Sequence, residues 1–252
     1  MKSKMILFLI IILFSNTYSQ LDRSVRPEPG PAPEIKLGDY ETFELDNGLK
    51  VYVIENNKLP KINFTLISVR DPIMEGENKG YISFAGNLLR RGTKTRTKEE
   101  IDEQVDFIGA SLNTSGTSIS GSSLKKHFNK LMELFSDVLL NSEFKQEELD
   151  KIKKQTLSNL ATQKEDPASI SSNLRRAIIY GKEHPYGEIL TEEKVNNVTL
   201  EKCQQYYKDF FRPNISLLAF VGDITVNEAK DYAEKYLSNW EPKEIPSFNF
   251  DQ

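Results

Sequence analysis

Two runs of alternating apolar and polar residues flank the tripeptide Asp46-Asn47-Gly48 in the stretch ETFELDNGLKVYVIEN. Asn-Gly between such runs favours a tight turn, and the whole stretch predicts a β-hairpin. The next run, KINFTLISVR, predicts a third strand. The folded part of the chain is therefore expected to begin with β-strands, and the elements that follow must supply what covers them.

Later segments change to the period of helices. Thr97 with Glu100 three residues later forms a capping box, and Pro167 can start a further helix that Gly181 stops. Between these two helices, SLNTSGTSISGSSL predicts two short strands. After them, ISLLAFVGD predicts an apolar strand, which is followed by a closing helix. This segregation predicts an α+β domain over residues 41–240, with helices covering one face of a mixed or antiparallel sheet.

Two helices in the middle of the chain carry apolar stripes. The first is expected from about residue 125 to residue 140. The second is the long segment KQEELDKIKKQTLSNLATQKED, whose inward residues are expected to be Leu149, Ile152, Leu157 and Leu160.

At both ends of the chain, the sequence predicts segments that lie outside this domain. Residues 1–19 combine two lysines, an apolar run and a small-residue end, which is typical of a secretory signal peptide. An N-terminal membrane anchor is the alternative, but the apolar run is shorter than the ~20 residues of a membrane span. Residues 20–40 predict a Pro-rich extended lead-in, and residues 241–252 a linker or truncated end. We expect an exported protein, periplasmic or secreted, without a transmembrane segment after cleavage.

Composition restricts the chemistry. Hydrophobic residues make up 38% of the chain and charged residues 28%, which is ordinary for a globular protein, and the net charge of −4 argues against nucleic-acid binding. The single cysteine, Cys203, cannot form an internal disulfide and is expected to be a packing residue. A nucleophilic role would need a nearby base, and the only histidines are His127 and His184.

The stretch GYISFAGNLLRRGT predicts a short helix that ends at Gly92 and has an unusual polar face. Opposite its apolar residues lie Ser83, Gly86, Asn87 and Arg90, at helical spacing. Most of these are small or weakly polar, whereas a surface helix normally carries Lys and Glu. The face is expected to line a small pocket.

Several stretches, in order, resemble the N-terminal domain of the M16 metallopeptidases, the family of insulinase, pitrilysin and the mitochondrial processing peptidases. ETFELDNGLKVYVIEN resembles the family's opening hairpin. The run from GYISFAGNLLRRGT to ASLNTSGTS resembles its zinc helix, the next helix and the following strand. The run from HPYG to the strand end VGD resembles its later block. The resemblance implies a processing-peptidase-like α+β fold over nearly all of the mature chain.

The family's zinc helix carries His-x-x-Glu-His, in which two histidines bind Zn²⁺ and the glutamate activates water. Anchored on the Gly-Thr end, the resemblance places Ser83, Gly86 and Asn87 at those positions. The family's third ligand, a glutamate on a later helix, falls on Asn159, and its supporting acidic position falls on Ile152. The zinc site is therefore predicted to be lost, and no cofactor and no catalytic residue are expected.

Other residues offer no substitute site. Ser and Asn are poor zinc ligands beside His, Cys and carboxylates. His127 is expected to be a surface histidine at a helix flank, and His184 to have a turn or packing role in the loop HPYG. A phosphate-binding loop of the P-loop type is absent from the sequence, and spacing supports no Ser/His/Asp arrangement.

A binding role could remain. In the family, the strand after the second helix is a sheet edge that pairs with the extended peptide substrate, and here that strand is expected within residues 110–118. An ordinary strand with a polar solvent face is the alternative. The residues expected to bind peptide are Ser111, Leu112, Asn113, Thr114 and Ser115.

The resemblance also implies partners, because the family forms clamshells from two halves or two subunits. The leading hypothesis is a non-catalytic domain that holds unstructured peptides beside an active M16 zinc subunit or a second M16-like domain. One alternative is zinc-dependent endopeptidase activity that needs a partner or a missing C-terminal half. The other is a scaffold module with no peptide role.

Overall fold

The computed structural model describes Gly30 and residues 39–246. Contacts divide the chain into Met1–Leu37 and Gly38–Gln252, and every strand and helix within the described residues lies in the second unit. The expected signal peptide, almost all of the Pro-rich lead-in and the last six residues lie outside the described part. Of the helices in that part, none combines the length and apolarity needed to cross a bilayer.

A six-stranded mixed sheet forms one layer of the domain. Its strands are β1 (Glu41–Glu44), β2 (Lys50–Glu55), β3 (Lys61–Ser68), β4 (Ser111–Thr114), β5 (Ser118–Leu124) and β6 (Ser216–Gly222). Their spatial order is β1-β2-β6-β3-β5-β4, with β2 and β6 parallel and the other pairs antiparallel. The late strand β6 thus enters the middle of the sheet, between the first hairpin and the third strand.

Eight α-helices lie within residues 39–246. They are α1 (Tyr81–Leu89), α2 (Lys98–Phe107), α3 (Phe128–Leu140), α4 (Gln146–Gln163), α5 (Pro167–Tyr180), α6 (Glu192–Asn197), α7 (Leu200–Phe210) and α8 (Val226–Leu237). The capping box of Thr97 and Glu100 is formed at the start of α2. Asp166 caps α5, which starts at Pro167, and Gly181 with φ 79° ends it.

Local signals explain the hairpin and the one-sided sheet. Gly48 takes a positive φ of 86° in the three-residue turn that closes β1 onto β2. Along β3, Ile62, Phe64 and Leu66 are buried, whereas alternate residues face outwards. Phe64 packs on Phe135 of α3 with ring centroids 4.4 Å apart. The predicted α+β fold, with helices on one face of a mixed sheet, is confirmed.

Two helices differ in detail from the prediction. A 3₁₀ turn, Lys125–His127, precedes α3, so the helix starts at Phe128. In α4 only Leu149 and Ile152 are buried, and the expected inward residues further along are only partly covered. The second half of α4 therefore leaves the core that its first half joins.

A buried carboxylate holds the Gly-Thr end of α1. Asp137 of α3 accepts hydrogen bonds from the hydroxyls of Thr93 (2.8 Å) and Thr95 (2.9 Å). It also accepts from Arg96 Nη1 (2.7 Å) and Asn141 Nδ2 (3.0 Å). Burial alone would raise the pKa of Asp137, but these four donors outweigh it and the pKa is lowered.

Candidate functional site

Helix α1 is fixed at its start by a carboxylate. Gly80 precedes the helix with a φ of 113°, and Glu75 Oε2 accepts from the main-chain N–H groups of Gly80 and Ile82, at 3.0 Å each. These are orphan donors of a helix N-terminus, so Glu75 does the work of a capping residue. The apolar side of α1 is buried against the core, and this fixes the direction of its bare face.

The bare face does not line a pocket at Gly86, although Asn87 and Arg90 of the same face line a cleft beside β4. Gly86 is buried, and a Cβ atom added there would lie within 3.0 Å of the main chain of Ser115 and Gly116. At Gly116 an added Cβ would lie 2.5 Å from Ile82 Cγ2. The two glycines therefore let the β4–β5 turn rest directly on α1, in the space that a side chain at residue 86 would need.

Hydrogen bonds from α7 and β3 hold that turn in place. Tyr206 donates its hydroxyl to Gly116 O at 2.5 Å, and Arg70 donates to the same hydroxyl from Nε (3.0 Å) and Nη2 (2.9 Å). Ser68 N donates to Thr117 O at 2.8 Å. Burial raises the pKa of Tyr206, so the hydroxyl keeps its proton for this bond at neutral pH. The turn is a built part of the domain.

The other positions of the expected zinc motif are solvent-facing. Ser83 and Asn87 are exposed, and Asn87 Nδ2 donates to Ser83 O at 2.9 Å. Asn159 is exposed on α4 and accepts from Gln155 Nε2 at 3.0 Å, while Ile152 packs in the core. Within the described residues there is no group of three His, Cys, Asp or Glu side chains able to hold a metal. This donor set does not fit Zn²⁺.

Strand β4 is a sheet edge and is shorter than the sequence suggested. It ends at Thr114, so four of the five expected peptide-binding residues form the strand and Ser115 begins the turn. Ser115 N donates to Ser118 O at 2.8 Å, which sets the alternation of the β4–β5 ladder. The main-chain groups of Leu112 and Thr114 consequently point away from β5, towards the free edge.

Arg90 occupies part of this edge, a role that the sequence did not indicate. Its Nη1 donates to Leu112 O at 2.6 Å, and its Nη2 pairs with Asp102 at 2.7 Å. Lys98 pairs with the other oxygen of Asp102 at 2.5 Å. These side chains, with Asn87 and Thr114, line a cleft of about 500 Å³ beside β4. One outward carbonyl of the edge is therefore already bonded.

Cys203 and His184 make packing and turn contacts, and His127 is partly exposed. Cys203 is buried on α7 with Sγ 3.7 Å from Tyr81 O, and burial raises its pKa to about 12, so it stays a thiol. His184 Nδ1 accepts from Tyr186 N at 3.1 Å, and its ring stacks on Tyr180. His127 is partly exposed on the 3₁₀ turn before α3.

Two family models match successive parts of the chain. Residues 73–192 match the model described as insulinase (peptidase family M16), and residues 197–252 match the Peptidase M16 inactive domain. The second match contains β6, which pairs between β2 and β3, so both matches contribute to one sheet.

Comparison with individual proteins likewise finds ones described as proteases or peptidase domains. The chain is 27% identical over 212 residues to the uncharacterized zinc protease YmxG of Bacillus subtilis, covering 80% of this chain and 50% of that protein. A solved peptidase M16 inactive domain from Pseudomonas fluorescens has a TM-score of 0.75 at 22% identity, over 85% of this chain and 53% of that one. The periplasmic protease PqqL of Escherichia coli has a TM-score of 0.71 at 22% identity, over 84% and 25%.

The two-layer fold, with its edge strand β4 beside α1, is similar to that of solved M16 domains, and no His, Cys, Asp or Glu lies on α1. With both family models matched, the chain belongs to the M16 peptidase family. It spans about half the length of relatives such as YmxG and the Pseudomonas fluorescens protein.

Proposed function

We propose that this chain is a non-catalytic M16 domain that holds extended peptides along β4 beside an active, zinc-bearing M16 partner. The observation that carries the proposal is at Gly86, where main chain of the β4–β5 turn fills the space that a general base would need. The edge strand that can pair with a peptide is nevertheless present. Because the zinc ligands are missing while the free edge of β4 is retained, peptide binding is favoured over catalysis as the role of this domain.

The edge offers main-chain groups to an incoming strand. Thr114 presents its N–H and C=O outwards, and Leu112 presents its N–H, while Arg90 holds the Leu112 carbonyl. Pairing through the main chain depends little on the side chains of the guest. An unstructured peptide of mixed sequence is therefore the class of ligand that fits this edge.

The partner and the export route are further parts of the proposal. The chain matches only about half of YmxG and of the Pseudomonas fluorescens structure, so those proteins carry as much chain again outside the matched region. Export is supported by the signal-peptide pattern of residues 1–19, and one structural neighbour is described as a periplasmic protease.

Replacing Thr114 with proline tests the edge. Thr114→Pro removes an outward N–H without removing a bond of the β4–β5 ladder. Loss of one hydrogen bond, about 1.4 kcal/mol, is expected to weaken peptide binding about tenfold. The measurement is fluorescence anisotropy with a labelled, unstructured peptide. Thr114→Val, which keeps the N–H group, is the matched control and should bind like the parent chain. Equal binding by Thr114→Pro would rule out the edge as the site.

Metal analysis tests the absence of catalysis. The purified chain is expected to carry far less than one zinc per molecule after incubation with zinc and desalting, because its donors are hydroxyls and amides. It is also expected to leave an unstructured peptide uncut. Stoichiometric zinc together with cleavage would refute the proposal. Zinc uptake only after an M16 partner is added would instead support a shared metal site.

A further inference from the structure

The cleft beside β4 lies where side chains of a paired peptide would project. Leu112 is buried, so its side chain points to the helix face of the sheet. On paired strands, directly opposite residues turn their side chains to the same face. The guest residue that pairs with Leu112 therefore directs its side chain towards the helices, into the cleft of about 500 Å³ that residues of β4, α1 and α2 line.

Two cationic side chains of this cleft share one carboxylate. Arg90 Nη2 donates to Asp102 Oδ1 at 2.7 Å, and Lys98 Nζ donates to Asp102 Oδ2 at 2.5 Å. Both oxygens of Asp102 are thus bonded, and the three side chains together keep one positive charge. Each of the three is between 28% and 35% exposed, so solvent screens this charge less than it would a fully exposed one.

A second shared carboxylate repeats this arrangement. Arg91 pairs with Glu148, and Lys151 pairs with the other oxygen of the same carboxylate. The lining of the cleft itself holds three cations, Arg90, Arg91 and Lys98, against two carboxylates, Asp102 and Asp106. The cleft therefore carries more positive than negative charge and favours an anionic guest side chain over a cationic one.

Arg90 is the cation that reaches the edge itself. Its Nη1 donates to Leu112 O at 2.6 Å, which places the guanidinium beside the main chain that a guest would pair with. Each terminal nitrogen of Arg90 carries a second N–H group, for which no acceptor lies among residues 39–246. Lys98 has three N–H donors, of which Asp102 takes one. Donors for a guest carboxylate are thus present next to Leu112.

We propose that Arg90 and Lys98 select peptides that carry an aspartate or glutamate at the residue paired with Leu112. The inference rests on the proposed function, because it specifies which peptides the same edge binds. Main-chain pairing holds the guest and is nearly indifferent to its side chains. A charge-assisted hydrogen bond from the cleft adds a preference at one position of the guest.

Binding of matched peptides tests the preference. Three labelled, unstructured peptides of otherwise uncharged residues carry glutamate, glutamine or lysine at one central position, and fluorescence anisotropy gives their dissociation constants. Such a peptide can shift along the edge until its glutamate lies beside Leu112. The glutamate peptide is expected to bind about tenfold more tightly than the glutamine peptide, and the lysine peptide more weakly than both. Slower hydrogen exchange at the Leu112 and Thr114 amides shows whether a peptide lies on β4.

Variants assign the preference to Arg90. Arg90→Gln removes the charge and is expected to reduce the preference for glutamate to about twofold or less, whereas Arg90→Lys should retain most of it. Asp102→Asn frees Arg90 and Lys98 from their shared carboxylate, so the preference should rise. A purely structural role of Arg90 would not produce that rise. Lys154→Gln removes the same charge at an exposed residue of α4 outside the cleft, and it should bind like the parent chain.

The outcomes separate this inference from the proposed function. Equal binding of the glutamate and glutamine peptides, with the Leu112 and Thr114 amides protected, would overturn the inference and leave the proposed function standing. A preference that persists in Arg90→Gln and does not rise in Asp102→Asn would overturn the assignment to the cleft. Absence of peptide binding, or binding without protection of those two amides, would overturn both the inference and the proposed function.

Discussion

Replacing Gly86 with glutamate is expected to destabilise the domain by about 3 kcal/mol or more, because the new side chain overlaps main chain of the β4–β5 turn. Gly86→Ala should also destabilise. This is the reverse of the usual result, since alanine in a helix interior normally gains about 1 kcal/mol over glycine. Urea unfolding followed by circular dichroism measures both.

Neighbouring positions on the same face provide the controls. Ser83→His and Asn87→His place large side chains where the residues are exposed, so each should change the free energy of unfolding by less than about 0.5 kcal/mol. The triple variant that rebuilds His-x-x-Glu-His should be as unstable as Gly86→Glu alone. A stable triple variant would mean that the turn moves aside easily.

The close contact at Gly86 changes how the bare face of α1 is interpreted. From the sequence alone, a helix face without metal ligands suggests an empty pocket. In the structure the central residue of this face, Gly86 of α1, contacts the main chain of Ser115 and Gly116. A hydrogen bond from Tyr206 fixes the turn. Gly86 is thus a packing position, and building His-x-x-Glu-His at residues 83–87 is expected to work against the fold.

Short-range signals carried most of the fold. Asn47-Gly48 specified the hairpin, and Thr97 with Glu100 specified a helix start, because both effects act within a few residues. The position of β6 in the middle of the sheet was not predicted, since pairing with β2 and β3 joins residues far apart in sequence.

The details of the candidate site depend on long-range contacts, which the sequence does not display. Arg90 reads as one more polar residue on α1, and only the fold brings it to Leu112 O on the sheet edge. Pro167 and Gly181 correctly indicated the start and the end of α5. Periodicity carries no information on whether a stripe faces the core or the outside, so the exposure of Ile178 was not predictable.

Removing the carboxylate of Asp137 is expected to cost about 3 kcal/mol or more, because Asp137→Ala leaves Thr93, Thr95 and Arg96 without their shared acceptor in a buried site. Those residues form the connection from α1 to α2, so the loss loosens the helix end. Urea unfolding at pH 7 gives the difference. Glu133→Gln is the matched control: Glu133 also pairs with Arg96 but is 40% exposed, and its loss should cost less than about 1 kcal/mol.

The same carboxylate makes part of the stability pH-dependent. The pKa of Asp137 is lowered in the folded chain, so the folded state binds the proton more weakly than the unfolded state. Its contribution is therefore complete above the unfolded pKa of about 4 and is lost as the pH falls through the folded value. The free energy of unfolding should decline below about pH 4 less steeply in Asp137→Ala than in the parent chain. Parallel curves for the two chains would show that other carboxylates account for the acid sensitivity.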